Sequence, residues 1–414
     1  MSVDPTRALL PNLFRTEYSR LVAVLCSKFG LDQIQIAEDI VSDVFLLAAE
    51  TWGKKGIPDN QSAWLYKVAQ NRVLDYLRRE KLRKEKVEPA LRSTSPSIEK
   101  ETLDFSEDRI QDSQLRMIFA LCHPALDEKA QVILALKILC GFTNQEIATA
   151  LLSKLETINK RLYRGKKALR EQKVTLTYPA ESELEGRLGT VLKVLYLLFN
   201  EGYYASQDAG GIRRDLCREA IRLCLILTSS ELSHRNEAYA LLALMCFHAS
   251  RLDARIGPEG EWVLLDEQES NQWDRELIQR GEYYLNLAAQ GQKLSKYHLE
   301  AAIAYWHTTP ESPAKWAEIL KYYNLLLQVE YSPIAALNRT FALSKVYGPS
   351  KAIKEAQKLA LEEHFFYQVL LGYLFSQQKD SSQAKAYYQR ALGLARTERE
   401  RGMVTKYLEE LENS

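Results

Sequence analysis

Phe142-Thr-Asn-Gln-Glu-Ile-Ala-Thr-Ala-Leu-Leu-Ser-Lys-Leu-Glu-Thr-Ile-Asn-Lys-Arg-Leu-Tyr-Arg164 decides how this chain is read. Two short helical patterns flank a break, which is the grammar of a helix-turn-helix. Ile147 and Ala148 pack inward, the alanine permitting a close helix crossing, and Ile158 with Leu162 anchors the second helix. Ser153 and Glu156 stand at capping-box spacing, which predicts that the second helix starts there. Its outward residues Asn159, Lys160, Tyr163 and Arg164 are of the types that read base edges in a major groove. Lys166, Lys167 and Arg170 lie further along, nearer to where phosphates would run.

A second basic stretch lies upstream. Arg72–Lys86 holds seven basic residues against three acidic ones, and Lys160–Lys173 holds seven against one. The formal net charge of +1 hides this clustering, since residues 1–173 carry a balance of +5 and residues 174–414 one of −4. Basic stripes of this kind suit phosphate neutralisation, although a solvated helix face has the same composition. On the run from Ala63 to Arg79, Asn71, Arg72, Asp75, Arg78 and Arg79 share one helical face. Leu65, Val68, Val73 and Leu77 fall mostly opposite, and Trp64 is expected in the core. An acidic amphipathic helix, Ala37–Trp52, precedes it. Over Ile34–Trp52, Ile36, Ile40, Val44 and Leu47 form the apolar stripe, with Glu38, Asp39 and Asp43 beside it. Gly53, Gly56 and Pro58 mark Gly53–Gln61 as a loop.

Helical periodicity runs through the whole chain, so the fold class is all-α. Residues 88–107 lose the apolar period and read as a flexible linker. Residues 183–414 are almost entirely helical, apart from Gly257–Leu265, which fits a small hairpin. Gly372, Ala384, Tyr388 and Ala391 occupy the small-residue and aromatic offsets of a tetratricopeptide helix pair. Asn338, Phe341, Ala352 and Ala356 repeat the pattern upstream if two residues are inserted near Tyr347–Pro349, and Ala301–Gln328 is a weaker third copy. An irregular helical bundle is the alternative.

The six cysteines form no CxxC pair and sit in apolar stretches, as buried thiols do in a reducing compartment. No run of 18 apolar residues and no signal pattern appears, so a cytoplasmic location is expected. The histidines show no HExxH or other ligand spacing, and Gly210-Gly211 lacks the setting of a phosphate loop. No cofactor, metal or catalytic activity is expected.

In this order and spacing, the two basic segments resemble those of a bacterial RNA polymerase sigma factor of the extracytoplasmic-function type. Ala37-Glu-Asp-Ile-Val-Ser-Asp-Val-Phe-Leu46 is similar to the sigma region that docks on core polymerase, which implies that role for Glu38, Asp39 and Asp43. Trp64–Arg79 looks like the region that recognises and melts the −10 element, implying Asn71, Arg72, Arg78 and Arg79 there, with the Gly53–Gln61 loop capturing a flipped base. The helix-turn-helix resembles region 4, so Asn159, Lys160, Tyr163, Arg164 and Lys167 would serve the −35 element. Two departures stand out: Leu152 replaces a frequent turn glycine, and Asn159 replaces a frequent arginine.

Leu195–Tyr203, Asp215–Leu223 and His123-Pro124 further resemble the ECF42-type subgroup, whose C-terminal extension is tetratricopeptide-like. The resemblance divides the chain into region 2 (1–87), linker (88–107), region 4 (108–173) and a regulatory C-terminal domain (183–414). It implies core RNA polymerase and promoter DNA as partners, a protein or peptide partner for the C-terminal domain, and no membrane. Two rival readings are a helix-turn-helix regulator that acts without polymerase as its main partner, and a repeat scaffold with incidental basic helices.

Overall fold

A computed structural model describes residues 5–87, 103–151, 153–203, 214–229, 236–257, 263, 265–291 and 293–412. Among these residues every extended element is a helix, as the periodicity predicts. The chain divides into two compact units, Met1–Leu198 and Phe199–Ser414.

Unit 1 opens with α1 (Pro5–Phe29), α2 (Ile34–Lys55) and α3 (Gln61–Val87), which pack on one another. Buried Leu21, Leu25, Ala37, Val41, Val44, Ala48 and Leu65 make their shared core. The stripe on α2 therefore runs through positions 34, 37, 41, 44, 48 and 52, and Leu47 is only half buried. α2 overruns the expected loop start: Gly53 stays helical and the turn comes at Gly56, whose φ of 87° suits glycine. Then come α4 (Glu107–Leu121), α5 (Glu128–Leu134), α6 (Asn144–Ala150) and α7 (Leu155–Glu171). α5 continues through a wider π-turn over Ala135–Leu139, closed by the Cys140 N–H donating to the Ala135 carbonyl at 3.2 Å. The expected linker 88–107 ends in ordered structure. Leu103 N–H donates to Gln70 Oε1 at 2.7 Å, and Phe105 stacks on Tyr66 with centroids 4.7 Å apart. The rest of that linker, 88–102, lies outside the described residues.

α8 (Glu181–Tyr203) runs across the boundary between the units. In unit 1 its Lys193 pairs with Glu128 at 2.5 Å, and its Arg187 donates to the Phe119 carbonyl at 2.5 Å.

Unit 2 continues with α9 (Arg214–Thr228) and α10 (Asn236–Ala249). α10 is apolar on nearly every side, and it is buried among α9, α11 (Arg275–Ala288) and α12 (Lys296–Thr308). From α12 onward each helix packs on the next: α13 (Lys315–Val329), α14 (Pro333–Tyr347), α15 (Pro349–Gln357), α16 (Phe365–Gln377), α17 (Ser381–Leu394) and α18 (Glu398–Glu412). Gly348, at φ 84°, ends α14, and Pro349 starts α15 at once. At Gly372 a Cβ would stand 2.6 Å from the Tyr388 ring, so a bare backbone is what lets α17 approach α16. The hairpin expected at Gly257–Leu265 falls largely outside the described residues. Val263 N–H donates to the Arg255 carbonyl at 3.1 Å.

Burial strips water from His248 and His307 in unit 2, and neighbouring Arg251 adds positive charge. Both imidazoles are held neutral, His307 being lowered to about 3. In the unfolded chain each protonates near pH 6.5, so their contribution to stability is full above that value. It is lost as pH falls toward the folded values. Between pH 6 and 4 each histidine should steepen the loss by up to about 1.4 kcal/mol per pH unit. Denaturant titrations of His307→Gln and the native chain at several pH values check this; equal slopes would refute it.

Candidate nucleic-acid interface

α6 and α7 form the helix-turn-helix. Thr143 caps α6 reciprocally with Glu146: Glu146 N–H donates to Thr143 Oγ1 at 3.1 Å, and Thr143 N–H donates to Glu146 Oε2 at 2.8 Å. The sequence reading passed over this capping box, and the one it expected at Ser153 and Glu156 does not form. Ser153 N–H donates back to the Ala148 carbonyl at 2.9 Å, and α7 begins at Leu155 after an N-cap Lys154 with no side-chain bond. Leu152 lies outside the described residues.

Ile158, Leu162, Gly165 and Leu169 bury one stripe of α7. At Gly165 a Cβ would meet Leu134 at 2.9 Å, so the glycine sets how closely α7 approaches α5. On the opposite side Asn159, Lys160, Tyr163, Arg164 and Lys167 are all exposed, Tyr163 by 69%. Lys160 is held by Glu156 at 2.7 Å, Lys167 lies 3.6 Å from Glu171, and Asn159 Oδ1 accepts from Asn144 Nδ2 at 2.7 Å. Such exposed pairs contribute little to stability and give way readily to phosphates. Lys166 behaves differently. It turns to unit 1's other half, where its ammonium pairs with Glu38 and donates to Gln35 Oε1 at 3.2 Å.

On α3, Asn71, Asp75, Arg78 and Arg79 are exposed and Arg72 half-buried, as one face. Arg78 lies 3.8 Å from Asp75, which leaves most of its donors to solvent. Leu65 and Val73 are buried opposite. Trp64 is half-buried edge-on against buried Trp52, with centroids 5.3 Å apart, so it props the α2–α3 corner. The turn from Gly56 to Asn60 is mostly exposed, and Asn60 Oδ1 accepts from Ala63 N–H at 2.9 Å.

α2 presents Asp39, Ser42, Asp43, Leu46, Ala49 and Glu50 along one exposed strip. Leu46 is 61% exposed between acidic neighbours, a pattern that suits docking rather than packing, and the sequence reading passed over it. Its signal was its place off the apolar stripe. Glu38 does not share this strip. It is 5% exposed, and its carboxylate accepts from Tyr18 Oη at 3.0 Å.

Among the described residues no group of His, Cys, Asp and Glu is placed to hold a metal, and no helix is long and apolar enough to cross a membrane.

Comparison with known proteins finds family matches in both halves of the chain. Residues 14–83 match sigma-70 region 2 and residues 116–169 match sigma-70 region 4. Residues 187–289 match a family of unknown function, DUF6596. An uncharacterized protein of Rhizobium meliloti is 31% identical over 383 residues, which cover 91% of this chain and 90% of that protein. The chain thus belongs to one family with this relative, and its first half carries two sigma-70 regions, which support a sigma factor of the extracytoplasmic-function type.

Proposed function

We infer that unit 1 binds core RNA polymerase through the α2 strip, reads a −10 element with α3 and a −35 element with α7, and so directs transcription initiation. The observation that carries this reading is one ordered set of surfaces. An acidic and apolar strip on α2 is followed by two separate exposed basic faces, each on a helix whose other side is core. Asp39, Asp43 and Leu46 would meet polymerase. Asn71, Arg72, Arg78 and Arg79 would hold the melted strand, with the turn at Gly56 beside them. Asn159, Lys160, Tyr163 and Arg164 would enter the major groove, and Lys167 would sit against phosphate. The chain performs no covalent step in this scheme, and its place of action is the cytoplasm.

We assign region 2 to residues 1–87, region 4 to 108–173 and a regulatory role to the helices that follow. The sequential packing of α12 to α18 supports a tetratricopeptide-like array, as in the sigma subgroup with such extensions, and arrays of this kind bind protein or peptide partners on one face.

Reconstituted transcription tests the reading. Purified core polymerase with this chain should initiate at specific sites on fragments of its own genome, and Arg164→Ala should cost about 1–3 kcal/mol in discrimination at one base pair. Uniform weakening on every sequence would make Arg164 a phosphate contact. Tight binding to duplex DNA with no affinity for polymerase would replace the reading with that of a helix-turn-helix regulator.

A further inference from the structure

Arg251, just past the end of α10, is an enclosed cation without an anion. The residue is 5% exposed, and its buried Nε has no hydrogen-bond partner. Its Nη2 donates to Tyr203 Oη at 3.4 Å and to His248 Nδ1 at 3.3 Å, both at the long end of hydrogen bonding. Among the described residues no carboxylate pairs with it. Asp253, two positions on, pairs with Arg214 instead. Glu201, two positions before Tyr203, has its carboxyl raised by burial alone, so it does not supply the missing charge.

The groups around Arg251 add to the positive field rather than cancel it. Arg255 lies over the Tyr203 ring, 3.7 Å from its centroid, and its Nη1 donates to the Tyr203 carbonyl at 2.6 Å. Enclosed Lys315 pairs with Glu311 at 2.8 Å and donates to the Thr309 carbonyl at 2.9 Å. The charged side chains that act on His248 are Arg251 and Arg255, and those that act on His307 are Arg251 and Lys315. Both rings are half-buried, and burial is still the largest influence on each. Rings that touch solvent yet feel deep burial line a recess, not a convex face. A guanidinium only donates, so His248 Nδ1 accepts and the neutral ring carries its proton on Nε2, one further donor at the site.

A buried cation with no counter-charge is costly to hold, and an anion placed against it recovers that cost. Unsatisfied buried polar groups are rare in folded chains, and a bound ion or ligand is one way they are completed. One unpaired cation calls for one negative charge. The Nε and Nη2 edge of a guanidinium carries two parallel donors, which match the two oxygens of a carboxylate. We propose that unit 2 binds a small carboxylate ligand at Arg251, its oxygens on Nε and Nη2, with the Tyr203 hydroxyl and the His248 ring beside them. The ligand takes over the long Nη2 contacts. This gives the helices after region 4 a small-molecule input. It stands apart from the sigma reading, because its test measures binding alone.

The full chain is titrated with acetate and followed by saturation transfer to the acetate methyl signal, with acetamide as the uncharged isostere. Acetate should bind saturably with a Kd on the order of 1 mM, the scale open to a ligand this small, and acetamide should not compete with it. Arg251→Met keeps the reach of the side chain and removes its charge, and should weaken acetate binding at least about tenfold. The basic faces of α3 and α7 attract anions too, so Arg164→Ala with Lys167→Ala is the control that should leave this binding unchanged. Arg251→Lys keeps the charge without the fork. It should fall between the native chain and the methionine variant, and it gives the reading if that variant does not fold. Equal affinity in the native chain and the Arg251 variants would overturn the proposal, as would the lack of any saturable acetate binding. Saturable binding of inorganic phosphate in place of acetate, with the same dependence on Arg251, would overturn the carboxylate assignment in favour of a phosphate.

Discussion

Leu46→Asp should weaken binding to core polymerase by about 30-fold or more and leave the melting temperature of unit 1 unchanged. The size follows from how protein interfaces distribute their energy: a few apolar or aromatic anchors, when truncated, cost about 2 kcal/mol or more each, while the surrounding polar contacts cost little. Leu46 is the large apolar side chain on the exposed strip of α2, with Asp43 and Asp39 about one and two turns before it. An aspartate there removes the anchor and adds a charge that must be desolvated on docking. In the free chain the site already faces solvent, so stability has little to lose. Titration of labelled polymerase with the variant, alongside a thermal melt, checks both halves of the expectation. Binding equal to that of the native chain would move the docking site off this strip.

The largest stability effects should come from Phe247 and Gly281 in unit 2, and they should partly cancel. Phe247 on α10 is fully buried, and a Cβ at Gly281 on α11 would stand 2.7 to 2.9 Å from three of its ring carbons. Phe247→Ala empties this space and should cost about 3–5 kcal/mol. Gly281→Ala forces a methyl against an enclosed ring, and overpacking of this kind costs about 1–3 kcal/mol. In the double variant the added methyl enters the space the ring has left. Its destabilisation should therefore fall below the sum of the two by more than about 0.5 kcal/mol. Denaturant unfolding of the four proteins measures the cycle, and strict additivity would show that the two helices re-space independently.

Where periodicity and residue type act locally, the chain is legible without coordinates. The buried stripe of α7 at Ile158 and Leu162 and its exposed residues from Asn159 to Arg164 follow from spacing alone, and so does the split of α3 into a core side and a basic side. What failed was decided by distant neighbours or by competing local bonds. Lys166 and Lys167 look alike in sequence, yet one meets Glu38, 128 residues away, and the other meets Glu171 on its own helix. Glu38, grouped with Asp39 and Asp43 by sequence, is separated from them because its position on α2 faces Tyr18. The capping box at Ser153 and Glu156 was misread because the Ser153 amide closes the previous turn rather than opening the next, although α7 does begin at Leu155. The ordered end of the linker was missed because Phe105 finds its stacking partner 39 positions back, at Tyr66.

The buried cysteines bear on which signals reach this protein directly. All six are free and enclosed, and burial raises the thiols of Cys122, Cys217 and Cys246 to about 12 and those of Cys26 and Cys224 further still. Peroxide attack and thiol exchange proceed through the thiolate, which at neutral pH is then less than about one part in ten thousand of each of these groups. The chain is thus poorly suited to sense oxidants by itself. Oxidants would reach these thiols only where the helices that enclose them open.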